Sequence, residues 1–142
     1  MSVGGNDAIM NSDLLDAPCR RSAEALRLFS QRLEPFESAY RRVLAAINAS
    51  GRRATVCTIY NGALEPDQAS LARVALMTFN DVILRAAFEH AVDVIDLRLI
   101  CTNDADYANP IEPSGSGGLK IARAISQALM APATDGASRI IR

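Results

Sequence analysis

Three long stretches of the chain place apolar residues at alternating steps of three and four positions. This spacing predicts amphipathic helices over about 22–50, 68–91 and 117–130. Pro35 lies inside the first stretch and predicts a kink or two abutting helices. Each helix is expected to pack one apolar face on a sheet. The predicted inward-facing residues are Leu26, Phe29, Leu33, Phe36, Tyr40, Val43 and Ile47 in the first helix, Leu71, Val74, Phe79, Val82 and Ala86 in the second, and Leu119, Ala122, Ile125 and Leu129 in the third.

Short β-branched and apolar segments precede these helices. Residues 54–60 (ATVCTIY) and 92–99 (VDVIDLRL) predict strands buried on both faces, and residues 1–3 predict a strand stub that runs into a Gly-Gly-Asn-Asp turn. Strands and helices that alternate in this way predict an α/β domain with a parallel sheet of about three strands between helical layers. We expect this domain to span residues 1–130, with 131–142 as a frayed tail.

Composition narrows the range of partners. The 142 residues carry a formal net charge of −1, which gives no electrostatic reason to expect nucleic acid or an anionic membrane as partner. No apolar run approaches the roughly 20 residues that span a bilayer, and the N-terminus lacks a signal-peptide pattern, so a cytoplasmic location is expected. The three cysteines lack metal-ligand spacing and are expected to be reduced and mostly buried.

Parallel strands place the loops that follow them at one edge of the sheet, where open α/β folds bind ligands. These loops are residues 4–7, 61–65 and 100–117, and the stretch 104–122 ends as the last helix begins. We therefore expect a binding site at this edge. Its candidate substrate-binding residues are Gly4, Gly5, Asn61 and Tyr107.

Two segments at this edge resemble blocks of the SGNH (GDSL-type) hydrolases. S-V-G-G-N-D-A at 2–8 is similar to their third block, G-x-N-D, and E-P-S-G-S-G-G-L-K-I-A at 112–122 is similar to the region of their fifth block. C-T-I-Y-N at 57–61 and V-I-D-L-R at 94–98 resemble their later core strands. The resemblance implies a flavodoxin-like sheet, no cofactor, and hydrolysis of small carboxylic esters by a serine nucleophile. It implies that Asn6 donates to the oxyanion.

The chain departs from the family pattern at two points. The G-D-S segment that carries the nucleophile is absent, so we expect a C-terminal portion of the domain that is inactive alone and self-associates through its shortened sheet. Asn109 and Glu112 stand where the family has the aspartate and histidine of its triad. Asn109 cannot act as the orienting anion, and Glu112 is a weaker base than histidine unless burial raises its pKa. The alternative is a non-catalytic relative that binds a ligand or partner at the same edge.

Three further features have simpler explanations. His90, at a helix end, is expected at the opposite edge as a capping or solvated group. The acidic loop residues Asp104, Asp106, Asn109 and Glu112 supply oxygen ligands for a hard cation, but they lack the EF-hand spacing, and a solvated turn is favoured over a metal site. Gly115–Gly118 lacks phosphate-loop spacing and is explained as well by a serine N-cap at Ser114 or Ser116.

Overall fold

The computed structural model describes residues 1–132 and 137–142 and combines helices with one parallel sheet. The helices are α1 (Gly5–Met10), α2 (Ser22–Ala49), α3 (Pro66–Glu89), α4 (Leu97–Ile100) and α5 (Gly115–Met130), with single 3₁₀ turns at Ser12–Asp16 and Asp104–Asp106. The strands are β1 (Thr55–Cys57), β2 (Asp93–Ile95) and β3 (Ile140–Ile141). The three predicted long helices are confirmed, and α2 runs unbroken through Pro35.

The sheet has the order β1-β2-β3 with both pairs parallel. Its third strand comes from the end of the chain, so the prediction of a frayed tail is wrong for 137–142, while 133–136 lie outside the described residues. Arg139 holds this segment to the central strand, because its guanidinium and backbone N–H both donate to Asp93, at 2.6 and 2.9 Å. Two β-branched isoleucines then complete the pairing.

The predicted strand stub at residues 1–3 lies at the other edge of the sheet without forming a strand. The backbone N–H of Cys57 donates to the Met1 carbonyl at 2.9 Å, and the Met1 nitrogen donates to the Thr55 carbonyl. The prediction of a strand at residues 1–3 is therefore wrong, and the pairing of this segment with β1 is limited to one residue.

Both predicted inner strands are shorter than expected because side chains replace strand partners at their ends. The Asp96 carboxylate accepts from the backbone N–H of Arg98 and caps α4, which ends β2 early. Past β1, the buried Asn80 amide accepts from the Ile59 N–H at 2.7 Å and donates to the Ile59 carbonyl at 2.9 Å. The Asn80 side chain on α3 thus makes the two hydrogen bonds that a neighbouring strand would otherwise make with Ile59.

Two apolar clusters hold the helices against the sheet. The larger joins α2 and α3 to β1 and β2 around Leu44, Val56 and Ile83, and the smaller joins α5 to the sheet around Ile95, Leu97 and Ala124. The predicted faces are right at Phe36 and Tyr40 in α2 and at Phe79, Val82 and Ala86 in α3. They are wrong at Leu26, Val43, Leu71 and Val74, which are exposed.

The predicted inner face of α5 is also wrong. Leu119, Ile125 and Leu129 point outward, with Leu129 74% exposed, whereas the buried residues of α5 are Gly117, Ala124 and Ala128. At Gly117, α5 approaches the backbone of Asp106 too closely for a larger side chain, and Ala124 and Ala128 pack in the smaller apolar cluster.

The three cysteines were expected to be reduced and mostly buried. Cys57 and Cys101 are buried, Cys19 is exposed, and none of them forms a disulfide. Within residues 1–132 and 137–142, no helix combines the length and apolar character needed to cross a bilayer.

Candidate functional site

A cavity of about 840 Å³ lies beyond the carboxyl end of β1. This volume falls within the range of roughly 300–1,000 Å³ that is typical of small-molecule sites. Its walls come from α1, from the segment after β1, from α3 and from the site loop, which we define as residues 101–114. Five of the seven residues predicted for the site line this cavity: Gly4, Gly5, Asn6, Asn61 and Glu112. Asn109 and Tyr107 lie outside its lining.

One wall is built on the turn that starts α1. Gly4 has a φ of +110°, a left-handed conformation that disfavours other residues, and a Cβ there would come within 3.2 Å of the Phe36 ring. This turn places Asn6 in the first turn of α1, exposed on the cavity wall. Among the described residues the Asn6 side chain has no hydrogen-bond partner, so its amide is available to a ligand.

Glu112 also lines the cavity, and Asn109 orients it. The Asn109 amide donates to the Glu112 carboxylate at 2.6 Å. Its side-chain oxygen accepts from the backbone N–H groups of Ile111 and Glu112, at 3.0 and 2.9 Å, and closes a tight turn. Asn109 therefore acts on Glu112 as a neutral donor rather than as an anion. The Glu112 side chain itself is exposed.

The segment after β1 clamps the site loop. Gly62 has a φ of +79°, and a Cβ there would lie 2.5 Å from the Pro110 carbonyl oxygen. That oxygen accepts from the Ala63 N–H at 2.9 Å, and the Tyr60 hydroxyl donates to the Ile111 carbonyl at 2.9 Å. These contacts bring Glu112 to the same cavity as the residues that follow β1.

Tyr107 lies outside the lining and packs against Tyr60, which lines the cavity. Its hydroxyl donates to the Cys101 carbonyl at 3.0 Å, and its ring meets the Tyr60 ring edge-on with 5.6 Å between centroids. Burial raises the pKa of Tyr107 to about 12. Tyr60, which the sequence analysis missed as a site residue, is the tyrosine that lines the cavity. Its position at the carboxyl end of the predicted strand 54–60 was the available signal.

The acidic loop is held by an internal ion pair. Asp106 is 2% exposed and accepts from the Lys120 ammonium, at 2.7 and 2.8 Å to its two oxygens, and from the backbone N–H groups of Thr102 and Asn103. The Lys120 hydrogen bond is the main reason that the pKa of Asp106 is lowered. In the described part of the chain, no group of three or more histidine, cysteine or acidic residues is arranged to hold a metal ion.

The glycine run that follows is capped by its own serines. The Ser114 hydroxyl oxygen accepts from the Gly117 N–H at 3.2 Å, and the Ser114 and Ser116 hydroxyls both reach the Ala105 carbonyl, at 2.7 and 2.9 Å. These contacts account for the run as a helix start.

Two further polar residues, Thr58 and His90, are not available in the cavity: the Thr58 hydroxyl is already hydrogen-bonded, and His90 is not part of the lining. The Thr58 hydroxyl, on the cavity wall, donates to Asp96 and accepts from the Leu97 N–H, both at 2.9 Å. The Asp96 carboxylate also binds the Arg98 guanidinium at two points, at 2.6 and 2.7 Å. His90 ends α3, where the Asn48 amide donates to its carbonyl, and it does not line the cavity.

The assembled site offers a free amide donor and an oriented carboxylate in the lining of one cavity. These groups can bind a polar carbonyl-containing ligand and polarise it. Comparison of the chain with protein-family models, with curated proteins and with solved structures gave no match in any of the three.

Proposed function

We propose that this chain is an SGNH-hydrolase-like protein with a three-layer arrangement, and that its strand-end cavity binds small carboxylic esters. The observation that carries the proposal is that Asn6 and Glu112, which are 106 positions apart in the sequence, line one cavity. A cytoplasmic location and self-association stay predictions from the sequence.

The chemistry starts with the ester carbonyl. The Asn6 amide donates to the carbonyl oxygen and stabilises the negative charge that develops there. A donor of this kind lowers the activation free energy by about 3–4 kcal/mol. Glu112 removes a proton from a water molecule, and the water oxygen attacks the carbonyl carbon. The tetrahedral intermediate then expels the alkoxide, which takes the proton back from Glu112 and leaves as an alcohol. Asn109 holds Glu112 in position.

A second candidate function is ligand binding without turnover. It is favoured by the state of the cavity wall, where the Thr58 hydroxyl is engaged on both its donor and acceptor sides and Glu112 is exposed. The occupied hydroxyl and the open exposure of Glu112 to water favour binding over turnover.

Two measurements on the same samples separate these functions. NMR titration with ethyl butyrate follows ester binding, and release of nitrophenol from p-nitrophenyl butyrate follows turnover. If the site hydrolyses esters, Glu112→Gln lowers the rate about 100-fold and Asn6→Ala lowers it about 100- to 1,000-fold. Asp104→Asn, on the same loop but outside the cavity lining, is the matched control and keeps the rate of the parent protein.

Each outcome assigns a function. Ester binding with a nitrophenol release rate that Glu112→Gln leaves unchanged establishes the binding function and removes Glu112 from the chemistry. The absence of chemical-shift changes for cavity residues at millimolar ethyl butyrate refutes both candidate functions.

A further inference from the structure

The charges around the cavity all have one sign. Its lining contains three carboxylates, those of Asp7, Asp16 and Glu112, and no lysine, arginine or histidine among the described residues. None of the three forms an ion pair with the part of the chain that the structure describes. The cavity therefore carries uncompensated negative charge in a protein whose formal net charge is only −1.

Two arginines that contact or adjoin lining residues are already engaged. Arg32, close to the cavity residue Asn11, donates to its side-chain oxygen at 3.0 Å and to Asp13 at 2.8 Å. Arg98 follows the cavity residue Leu97, and its guanidinium binds Asp96. Both arginines therefore pair with carboxylates other than those of the lining, and the Met1 ammonium, which precedes the lining residue Ser2, donates to the Thr55 carbonyl.

The rest of the lining suits an apolar cation. Two half-buried aromatic rings, those of Phe29 and Tyr60, line the same space. The face of an aromatic ring attracts quaternary and protonated amines, and the attraction strengthens as the cation loses water. Carboxylates beside such rings are the combination that favours an organic cation over a neutral or anionic molecule of the same shape.

We propose that this cavity selects esters that carry a positive charge, such as esters of an amino alcohol, over neutral and anionic esters. The inference rests on the proposed ester site and adds the charge of its ligand. Because the three carboxylates are exposed, each changes affinity by only about 2- to 5-fold, the effect of an exposed ion pair. Salt weakens this part of the binding, since the Debye length falls to about 8 Å at 0.15 M.

Three esters of matched size test the charge preference. Butyrylcholine carries a quaternary ammonium, 3,3-dimethylbutyl butyrate replaces that nitrogen with carbon, and monobutyl succinate carries a carboxylate. Dissociation constants come from NMR titration of the full chain at low and high salt. We expect butyrylcholine to bind about 5-fold or more tightly than its neutral analogue at low salt, with the ratio falling toward one as salt rises, and monobutyl succinate to bind most weakly.

Variants locate the effect. Asp7→Asn and Asp16→Asn each lower the butyrylcholine preference about 2-fold or more. Asp104→Asn, which removes the same charge outside the cavity lining, keeps the ratio of the parent protein. Circular dichroism confirms that each variant is folded.

The two proposals fail in different ways. If none of the three esters binds, the proposed function is refuted. If the neutral ester binds as tightly as butyrylcholine, or the anionic ester binds more tightly, the ester site stands and the charge preference is refuted.

Discussion

The contact between Gly117 and the site loop gives the sharpest test of the structure. A Cβ on Gly117 would lie 2.1 Å from the Asp106 carbonyl oxygen and 3.0 Å from its carbonyl carbon. The backbone of Asp106 cannot retreat easily, because that oxygen accepts from the Ser114 N–H at 2.8 Å and the Asp106 side chain is bound by Lys120. Gly117→Ala therefore forces α5 and the site loop apart.

The expected cost follows from two opposing effects. Overpacking against a fixed neighbour costs about 3 kcal/mol at the upper end of its usual range, and alanine in a helix recovers about 1 kcal/mol relative to glycine. We expect Gly117→Ala to lower the free energy of unfolding by about 2 kcal/mol. Gly118 is the matched control, because a Cβ there meets nothing within 4 Å. Gly118→Ala should raise the free energy of unfolding by about 0.5–1 kcal/mol.

Urea unfolding followed by circular dichroism measures both variants against the parent chain. The midpoints should move in opposite directions while the denaturant slope stays constant. Equal midpoints for the two alanine variants would show that Gly117 does not approach the Asp106 backbone closely enough to exclude a side chain.

Three further predictions concern stability. Lys120 lowers the pKa of Asp106 below its unfolded value, so the stabilisation that this shift provides is fully present above the unfolded pKa and is lost as pH falls through the folded one; the gap in urea midpoint between the parent chain and Asp106→Asn should shrink in acid. Asn80→Ala leaves the Ile59 N–H and carbonyl unpaired and should cost about 2–4 kcal/mol in urea unfolding, whereas a cost below 1 kcal/mol would contradict that pairing. Arg139→Ala removes the anchor of β3, so hydrogen exchange at the β2 amides should accelerate, and unchanged exchange would show that β3 pairs without it.

The sequence predicts the helices well and the strands poorly. Helical periodicity extends over many residues, so it locates α3 to within two residues at either end. Strand ends depend on contacts that local pattern does not contain, such as the Asn80 amide that pairs with Ile59. β3 has only two residues, and it pairs because Arg139 meets Asp93, 46 positions away.

The inner face of α5 shows the limit of hydrophobic patterning. The pattern assigns the largest apolar side chains to the core, but the observed helix buries glycine and alanine and leaves Leu119 and Leu129 exposed. At Gly117 the close approach to the Asp106 backbone requires glycine, and small residues carry little weight in a hydrophobic pattern. The sequence Ser-Gly-Ser-Gly-Gly at 114–118, where the helix starts, was the signal that α5 approaches another segment closely.

The shared cavity of Asn6 and Glu112 could be predicted because it follows from topology. Parallel strands put the loops that follow them at one edge. Residues 1–3 form no strand, but Met1 bonds to the edge of β1, so the turn that carries Asn6 reaches the same edge. The role of Asn109 as a donor to Glu112, the place of Tyr60 on the wall and the one-signed charge could not be predicted, because they depend on which side chains turn toward the cavity.

Asn6 and Glu112 are held in place by different contacts, so a double variant of the two residues can distinguish binding from catalysis. Asn6 rests on the α1 turn, which Gly4 packs against α2, while Glu112 rests on Asn109 and on the clamp at Gly62. In simple binding, the losses from Asn6→Ala and Glu112→Gln should therefore add to within about 0.5 kcal/mol in the double variant. In catalysis both groups act on one transition state, and the double variant should lose much less kcat/KM than the sum of the single losses. Additive losses in ester affinity, with no coupled loss of turnover, would assign this edge of the sheet to binding alone.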